Sequence, residues 1–180
     1  MKLKNTTIIV TGSNQGLGKC LAFKLAKKGA NILLLARTES LLKKTKAELI
    51  KIGIMVDYFV CDIRDLKQIK QTVKNIKAKY NKIDVLVNNA GVWTDENLEK
   101  KKPELRQNAL LTNALGHINF TYELLPILKE QKQAHIVNVI STAGASDIPS
   151  SDNTLWKTYG ASKWANVRWT PLSIQKIDNA

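Results

Sequence analysis

Asn5-Thr6-Thr7-Ile8-Ile9-Val10-Thr11-Gly12-Ser13-Asn14-Gln15-Gly16-Leu17-Gly18 sets the architecture of this chain. The β-branched run at its start reads as a short strand. It leads directly into a turn whose glycines are spaced G-x-x-x-G-x-G. Leu17, Leu21, Ala22, Leu25 and Ala26 then recur at helical spacing until Gly29 closes the helix. Strand, glycine turn and helix form the context in which such a loop binds nucleotides. Glycine lets the backbone turn tightly and approach a pyrophosphate, while the helix N-terminus offers free N–H groups and a partial positive charge. The plainer reading is a glycine turn without a ligand.

The same alternation continues along the chain. Strands are expected at 6–11, 31–36, 55–61, 83–88 and 135–141, and helices at 16–28, 39–52, 65–80, about 106–130 and from about 158. Ile32-Leu33-Leu34-Leu35-Ala36 and Val85-Leu86-Val87 are continuously apolar, as strands buried on both faces are, so the sheet is parallel and lies under helices. Asp65-Leu66-Lys67-Gln68 reads as a capping box. Strict β/α alternation with right-handed crossovers predicts an α/β fold with a doubly wound parallel sheet. The long irregular stretches, 91–104 and 142–157, both follow strand C-termini, where such folds bind ligands.

Tyr159-Gly160-Ala161-Ser162-Lys163 supplies the chemistry. Residues four apart stack on one helix face. A phenol titrates near pH ~10, too high for proton transfer at neutral pH, and an ammonium one turn away favours the phenolate. Ser141 lies eighteen residues upstream.

At 180 residues the chain reads as one domain over 1–180, able to bury about 70% of its unfolded surface. Its apolar runs are far shorter than the ~20 residues a membrane span needs, and its N-terminus lacks a signal-peptide core. Cys20 and Cys61 form no C-x-x-C and read as buried reduced thiols of a cytoplasmic protein. His117 and His135 lie apart without cysteine partners, so no metal site is expected. The net charge of +13 invites a nucleic-acid reading. However, Lys67, Lys70, Lys74 and Lys77 lie opposite an apolar stripe of Leu66, Ile69, Val73 and Ile76, which is a solvated helix face. No aromatic residues interleave with these lysines to stack bases, so specific nucleic-acid binding is not expected.

Five motifs in order make residues 3 to about 165 resemble the short-chain dehydrogenase/reductase family: T-G-x-x-x-G-x-G at 11–18, Asn88-Asn89-Ala90-Gly91, Asn113-Ala114-Leu115-Gly116, Val137-Asn138-Val139-Ile140-Ser141, and the Tyr/Lys pair. The residues around Asn113 and Tyr159 look most like the retinol-dehydrogenase and carbonyl-reductase side of the family. The resemblance implies a Rossmann-like sheet of order 3-2-1-4-5 and hydride transfer between a nicotinamide cofactor and a small carbonyl or alcohol.

The resemblance also implies residue roles. Tyr159 is the acid/base, Lys163 lowers its pKa and bonds the nicotinamide ribose, and Ser141 bonds the substrate oxygen. Asn113 holds a water that relays protons to Lys163. Gly12, Ser13, Asn14, Gly16, Leu17 and Gly18 cradle the pyrophosphate. Asp62 bonds the adenine edge, although it also suits local turn chemistry. Asn89, Ala90 and Gly91 line the cofactor ribose, while Asn88 braces the sheet. Asn108 lacks the N-x-x-G context and is set aside. Where an acid would bind the adenosine ribose and repel a 2′-phosphate, this chain has Ala36, followed by Arg37, whose planar fork suits a phosphate. NADP is therefore expected over NAD, unless Arg37 is simply a surface residue at a strand end.

Two departures stand against the resemblance. The Ser141–Tyr159 interval is longer than the family commonly shows, enlarging the loop at Asp147-Ile148-Pro149-Ser150-Ser151-Asp152. The chain also stops at Ala180, short of the family's last two strands and substrate-covering helices, with Pro171 expected to interrupt the final helix. A truncated or frameshifted frame is the expectation. It would expose the 134–140 strand as an edge and weigh against the family's usual homo-oligomer. The readings are an NADP-dependent oxidoreductase, an inactive relic that binds cofactor or a partner protein, and a lysine-rich nucleic-acid module, in that order.

Overall fold

The computed structural model describes residues 2–94, 96–144 and 157–178; the loop at 147–152 lies outside them. Five strands, β1 (Thr7–Thr11), β2 (Asn31–Ala36), β3 (Val56–Val60), β4 (Val85–Asn88) and β5 (His135–Asn138), form one sheet of order β3-β2-β1-β4-β5. Every pairing is parallel, and the register sets Ile9 beside Leu33 on one side and Leu86 on the other. The doubly wound order expected from the sequence is the one observed. Among the described residues β5 is a sheet edge, with Val137 exposed.

Helices cover both faces: α1 (Gly16–Ala26), α2 (Glu39–Ile50), α3 (Leu66–Lys79), α4 (Glu96–Lys101), α5 (Glu104–Leu110), α6 (Gly116–Lys129) and α7 (Lys157–Asp178). The period of two along each strand divides the apolar side chains between the faces. Ile8, Val10, Ile32, Leu34, Val85 and Val87 pack with Ala22, Ala26, Leu42 and Leu49 of α1 and α2. Ile9, Leu33, Leu35, Leu86 and Ile136 pack with Ile69, Val73 and Ile76 of α3 and with Phe120, Leu124 and Leu128 of α6. Each fully buried Leu or Ile contributes about 1.5–3 kcal/mol relative to exposure.

Several local expectations differ from the structure. In α3, Ile69, Val73 and Ile76 are buried and the lysines solvated, but Leu66 in the first turn is exposed. Asp65 caps α3, its Oδ1 accepting from the N–H groups of Lys67 (2.8 Å) and Gln68 (3.3 Å). Gln68 does not close a reciprocal box, because its Oε1 accepts instead from the N–H of Asp62 (2.9 Å). Cys20 is exposed rather than buried, lying on the outer side of α1. Cys61 is buried, and that burial pushes its thiol up to about 11. The stretch after β4 contains α4, held to α7 by Thr158 Oγ1 donating to Glu99 Oε2 (2.8 Å).

The single helix expected over 106–130 is instead α5, one wide π turn over Leu111–Leu115, and α6. Pro171 does not break α7, which runs through it. Proline removes one backbone donor, but its fixed φ is helical, and Pro126 sits inside α6 in the same way. Among the described residues no helix is long and apolar enough to cross a membrane.

Candidate active site

The C-terminal ends of the strands open into a cleft of about 490 Å³. Thr11, the last residue of β1, organises its floor. Its Oγ1 donates to the Val87 carbonyl (3.3 Å) and accepts from the N–H groups of Asn89 and Ala90 (2.9 Å each). Asn89 Nδ2 returns a bond to the Thr11 carbonyl (2.9 Å). These bonds hold the glycine turn and the segment after β4 together across the sheet. Gly12 has φ +66°, and a Cβ there would lie 2.7 Å from Ala90 Cα, so only glycine permits this approach. The N-cap of α1, Gln15, makes no side-chain bond to the first turn, and no acid lies in that turn.

Of the residues expected at the site, all but two line this cleft: Gly12, Asn14, Gly16, Leu17, Gly18, Arg37, Asp62, Asn89, Ala90, Gly91, Ser141, Tyr159 and Lys163. Ser13 turns inward. It is fully buried, and its Oγ accepts from the Leu35 N–H (2.9 Å), fastening the turn to β2. Asn113, also fully buried, lies behind the cleft. Its Oδ1 accepts from the Val92 N–H (2.8 Å), and its Nδ2 donates to the Val92 carbonyl (2.8 Å) and to Ser162 Oγ (3.0 Å). Its carbonyl accepts from Asn166 Nδ2. The Asn113 amide thus fastens α7 to the segment after β4. Asn88 braces the sheet, donating to Thr121 Oγ1 (2.9 Å) and Asn138 Oδ1 (2.8 Å).

At the other wall, Tyr159 and Lys163 project from α7. Lys163 is almost wholly buried, its Nζ donating to the Val139 carbonyl (3.0 Å) and lying 6.0 Å from the centre of the Tyr159 ring. Burial pulls the Lys163 ammonium below the ordinary lysine range. Ser141, just beyond β5, accepts at Oγ from the Ala143 N–H (3.2 Å), which opens a short 3₁₀ turn, Thr142–Gly144. Behind the centre, His117 is fully buried, its ring Nε2 2.7 Å from the Ala90 carbonyl. Burial first, and the charge of Lys163 second, pull its pKa down to about 4, so the ring is neutral and Nε2–H is the donor.

At the end formed by β2 and β3, Asp62 is gripped by Arg64. Burial pushes its carboxyl pKa upward, but the bonds and charge of Arg64 outweigh that and hold it below the usual range. Arg64 donates through its backbone N–H (3.0 Å) and Nε (3.0 Å) to Oδ1, and through Nε (3.1 Å) and Nη2 (2.6 Å) to Oδ2. A carboxylate offers about four acceptor sites. The carboxylate expected to meet the adenine edge thus already accepts three N–H groups of Arg64. Arg64 Nη1 donates in turn to Asn108 Oδ1 (2.8 Å), giving a place to an asparagine that its sequence context leaves without a role. Trp93, exposed, also lines the cleft, while Thr11 and Arg64 brace its lining residues through Asn89, Ala90 and Asp62; the sequence reading gives none of the three a role. The T-G opening of the glycine turn is the available signal for Thr11.

Residues 6–175 match the family model described as short chain dehydrogenase. The chain is 33% identical over 150 residues to "Short-chain dehydrogenase/reductase 3" of Bos taurus, covering 83% of this chain and 50% of that protein. It thus spans about half the length of that curated relative. Among solved structures it superposes on an actinorhodin polyketide ketoreductase with NADPH (TM-score 0.84, 30% identity, 96% of this chain and 65% of that one). It also superposes on an NAD+-bound xylitol dehydrogenase (TM-score 0.88, 26% identity, 99% of this chain and 67% of that one).

Proposed function

The chain belongs to the short-chain dehydrogenase/reductase family, and we propose that it is an NADP(H)-dependent oxidoreductase interconverting a carbonyl and an alcohol. The observation that carries this reading is a single cleft lined by the glycine turn at one wall and by Ser141, Tyr159 and Lys163 at the other. The solved structures with NADPH and NAD+ support a nicotinamide cofactor.

The cleft suits such an anionic dinucleotide. Among the described residues lining it are the uncapped first turn of α1 and two cations, Arg37 and Lys163, and the one acid among them, Asp62, is matched by Arg64. A Cβ on Gly16 would meet nothing within 4 Å, so the turn faces open space. Arg37, half exposed and only 3.9 Å from Asp62 in a loose ion pair, is the group suited to a 2′-phosphate. Asn89, Ala90 and Gly91 would border the ribose, and Lys163 would bond its hydroxyls. When bound, the nicotinamide carries the hydride.

The chain's own residues handle the proton and the charge. The Tyr159 hydroxyl gives its proton to the oxygen of a carbonyl substrate, or takes one from an alcohol in the reverse direction. Lys163 holds positive charge beside that ring. Ser141 Oγ donates to the same substrate oxygen and favours the negative charge that builds there. Asn113 contributes by fixing the α7 turn that carries Tyr159. The test is NADPH consumption, followed by its absorbance, with a panel of aldehydes and ketones. Turnover with at least one carbonyl is expected. NADPH binding without turnover across the panel would favour the reading as a binding relic, and no NADPH binding would overturn the assignment.

A further inference from the structure

We propose that Arg64, locked by Asn108, is a specificity-determining residue that selects the 2′-phosphorylated cofactor by cancelling the charge of Asp62. The inference rests on the cofactor reading above. Among the described residues lining the cleft, Asp62 is the only acid. It lies two residues beyond Val60, which pairs with Ala36, and so stands beside Ala36 and Arg37 at the adenosine end. The Cys61 N–H donating to the Ala36 carbonyl (2.9 Å) holds the two chain ends together there.

A bare carboxylate at this place would have two effects. It would repel a 2′-phosphate, and it would compete for Arg37, whose Nη1 already lies 3.9 Å from Asp62 Oδ2. The absence of an acid at Ala36 is therefore not sufficient for phosphate selectivity, because the neighbouring strand brings an acid of its own. Arg64 removes that obstacle. Its guanidinium fork and backbone N–H bond both Asp62 oxygens, at 2.6–3.1 Å. Asn108, at the other end of the guanidinium, accepts from Nη1 (2.8 Å) and fixes the fork in place. Two guanidiniums and one carboxylate leave one positive charge, carried by the exposed Arg37. Arg64 acts through Asp62 rather than by touching the phosphate, which distinguishes its role from that of Arg37.

The experiment is a double-mutant cycle on the whole chain. Dissociation constants are measured by calorimetry for adenosine 2′,5′-bisphosphate and 5′-AMP, which differ only in the 2′-phosphate. The proteins are wild type, Arg64→Gln, Asp62→Asn and Asp62→Asn/Arg64→Gln. Arg64→Gln should lower the preference for the bisphosphate about tenfold, and less so at high salt. In the Asp62→Asn background the same change still removes the charge of Arg64 but leaves no carboxylate to draw Arg37 from the phosphate, so the loss should be at least about threefold smaller. An equal loss in both backgrounds, or no loss in either, would overturn the inference. Asn108→Ala, which leaves every charge in place, should lower the preference about threefold only while Asp62 is present. It decides the same question if Arg64→Gln does not fold. A wild-type preference for 5′-AMP would overturn the NADP reading itself, while the cycle would still show whether Arg64 acts through Asp62.

Discussion

Gly160 and Ala143 are in backbone contact: a Cβ built on Gly160 would lie 2.8 Å from the Ala143 carbonyl oxygen. The first turn of α7 therefore lies directly on the 3₁₀ turn that follows Ser141. This contact fixes the helix carrying Tyr159 against the strand end carrying Ser141. Glycine within a helix costs about 1 kcal/mol relative to alanine, so its use here reflects the close approach. Gly160→Ala gains that propensity but pushes backbone from backbone. The variant should lose at least about tenfold in kcat, with a smaller change in the Kd for NADPH, because the glycine turn is remote from the contact. Steady-state kinetics beside cofactor titration separate the two effects.

Arg37→Ala should weaken NADPH binding about tenfold or more while changing NADH binding less than about threefold, since only one of the two carries a charge for the guanidinium to meet. Fluorescence titration of both cofactors measures this. Equal losses would remove Arg37 from the phosphate contact.

Tyr159→Phe keeps the ring and removes the transferable proton. Carbonyl reduction should fall by at least about a hundredfold, while NADPH still binds within a few-fold of wild type. Undiminished turnover would show that another group supplies the proton.

His117 makes stability depend on pH. Its folded pKa of about 4 lies below the ordinary value of about 6.5, through burial first and the charge of Lys163 second. The unfolded chain therefore binds the proton more readily. The contribution is fully present above about pH 6.5, is lost as pH falls toward about 4, and amounts to at most about 3 kcal/mol. The Tm should drop by several degrees between about pH 7 and about pH 5. In His117→Gln, whose amide can still donate toward the Ala90 carbonyl, that drop should shrink. An identical pH dependence in the variant would assign the effect to other groups.

The fold was legible because it rests on short-range patterns. Continuous apolar strands such as 32–36 can be buried only under helices on both faces, and the turn at 11–18 joins strand to helix in one way. The site residues were legible where backbone shape or side-chain spacing along one element carries the meaning, as for Gly12, Gly16 and the Tyr159/Lys163 pair four apart. What remained hidden depends on which polar groups from distant segments satisfy one another. Ser13 reads as a cofactor contact until β2 supplies the Leu35 N–H that occupies its hydroxyl. Asn113 gives no sign in its sequence context that the segment after β4 takes both ends of its amide. Nothing in the spacing around Asp62 shows that Arg64, fixed by Asn108 forty-four positions further along, bonds both its oxygens. A buried or half-buried polar atom must find partners, and its choice follows from distances set when the strands register and the helices dock. Sequence spacing identifies the chemical groups available to this protein; packing determines which of them are left free to meet a ligand.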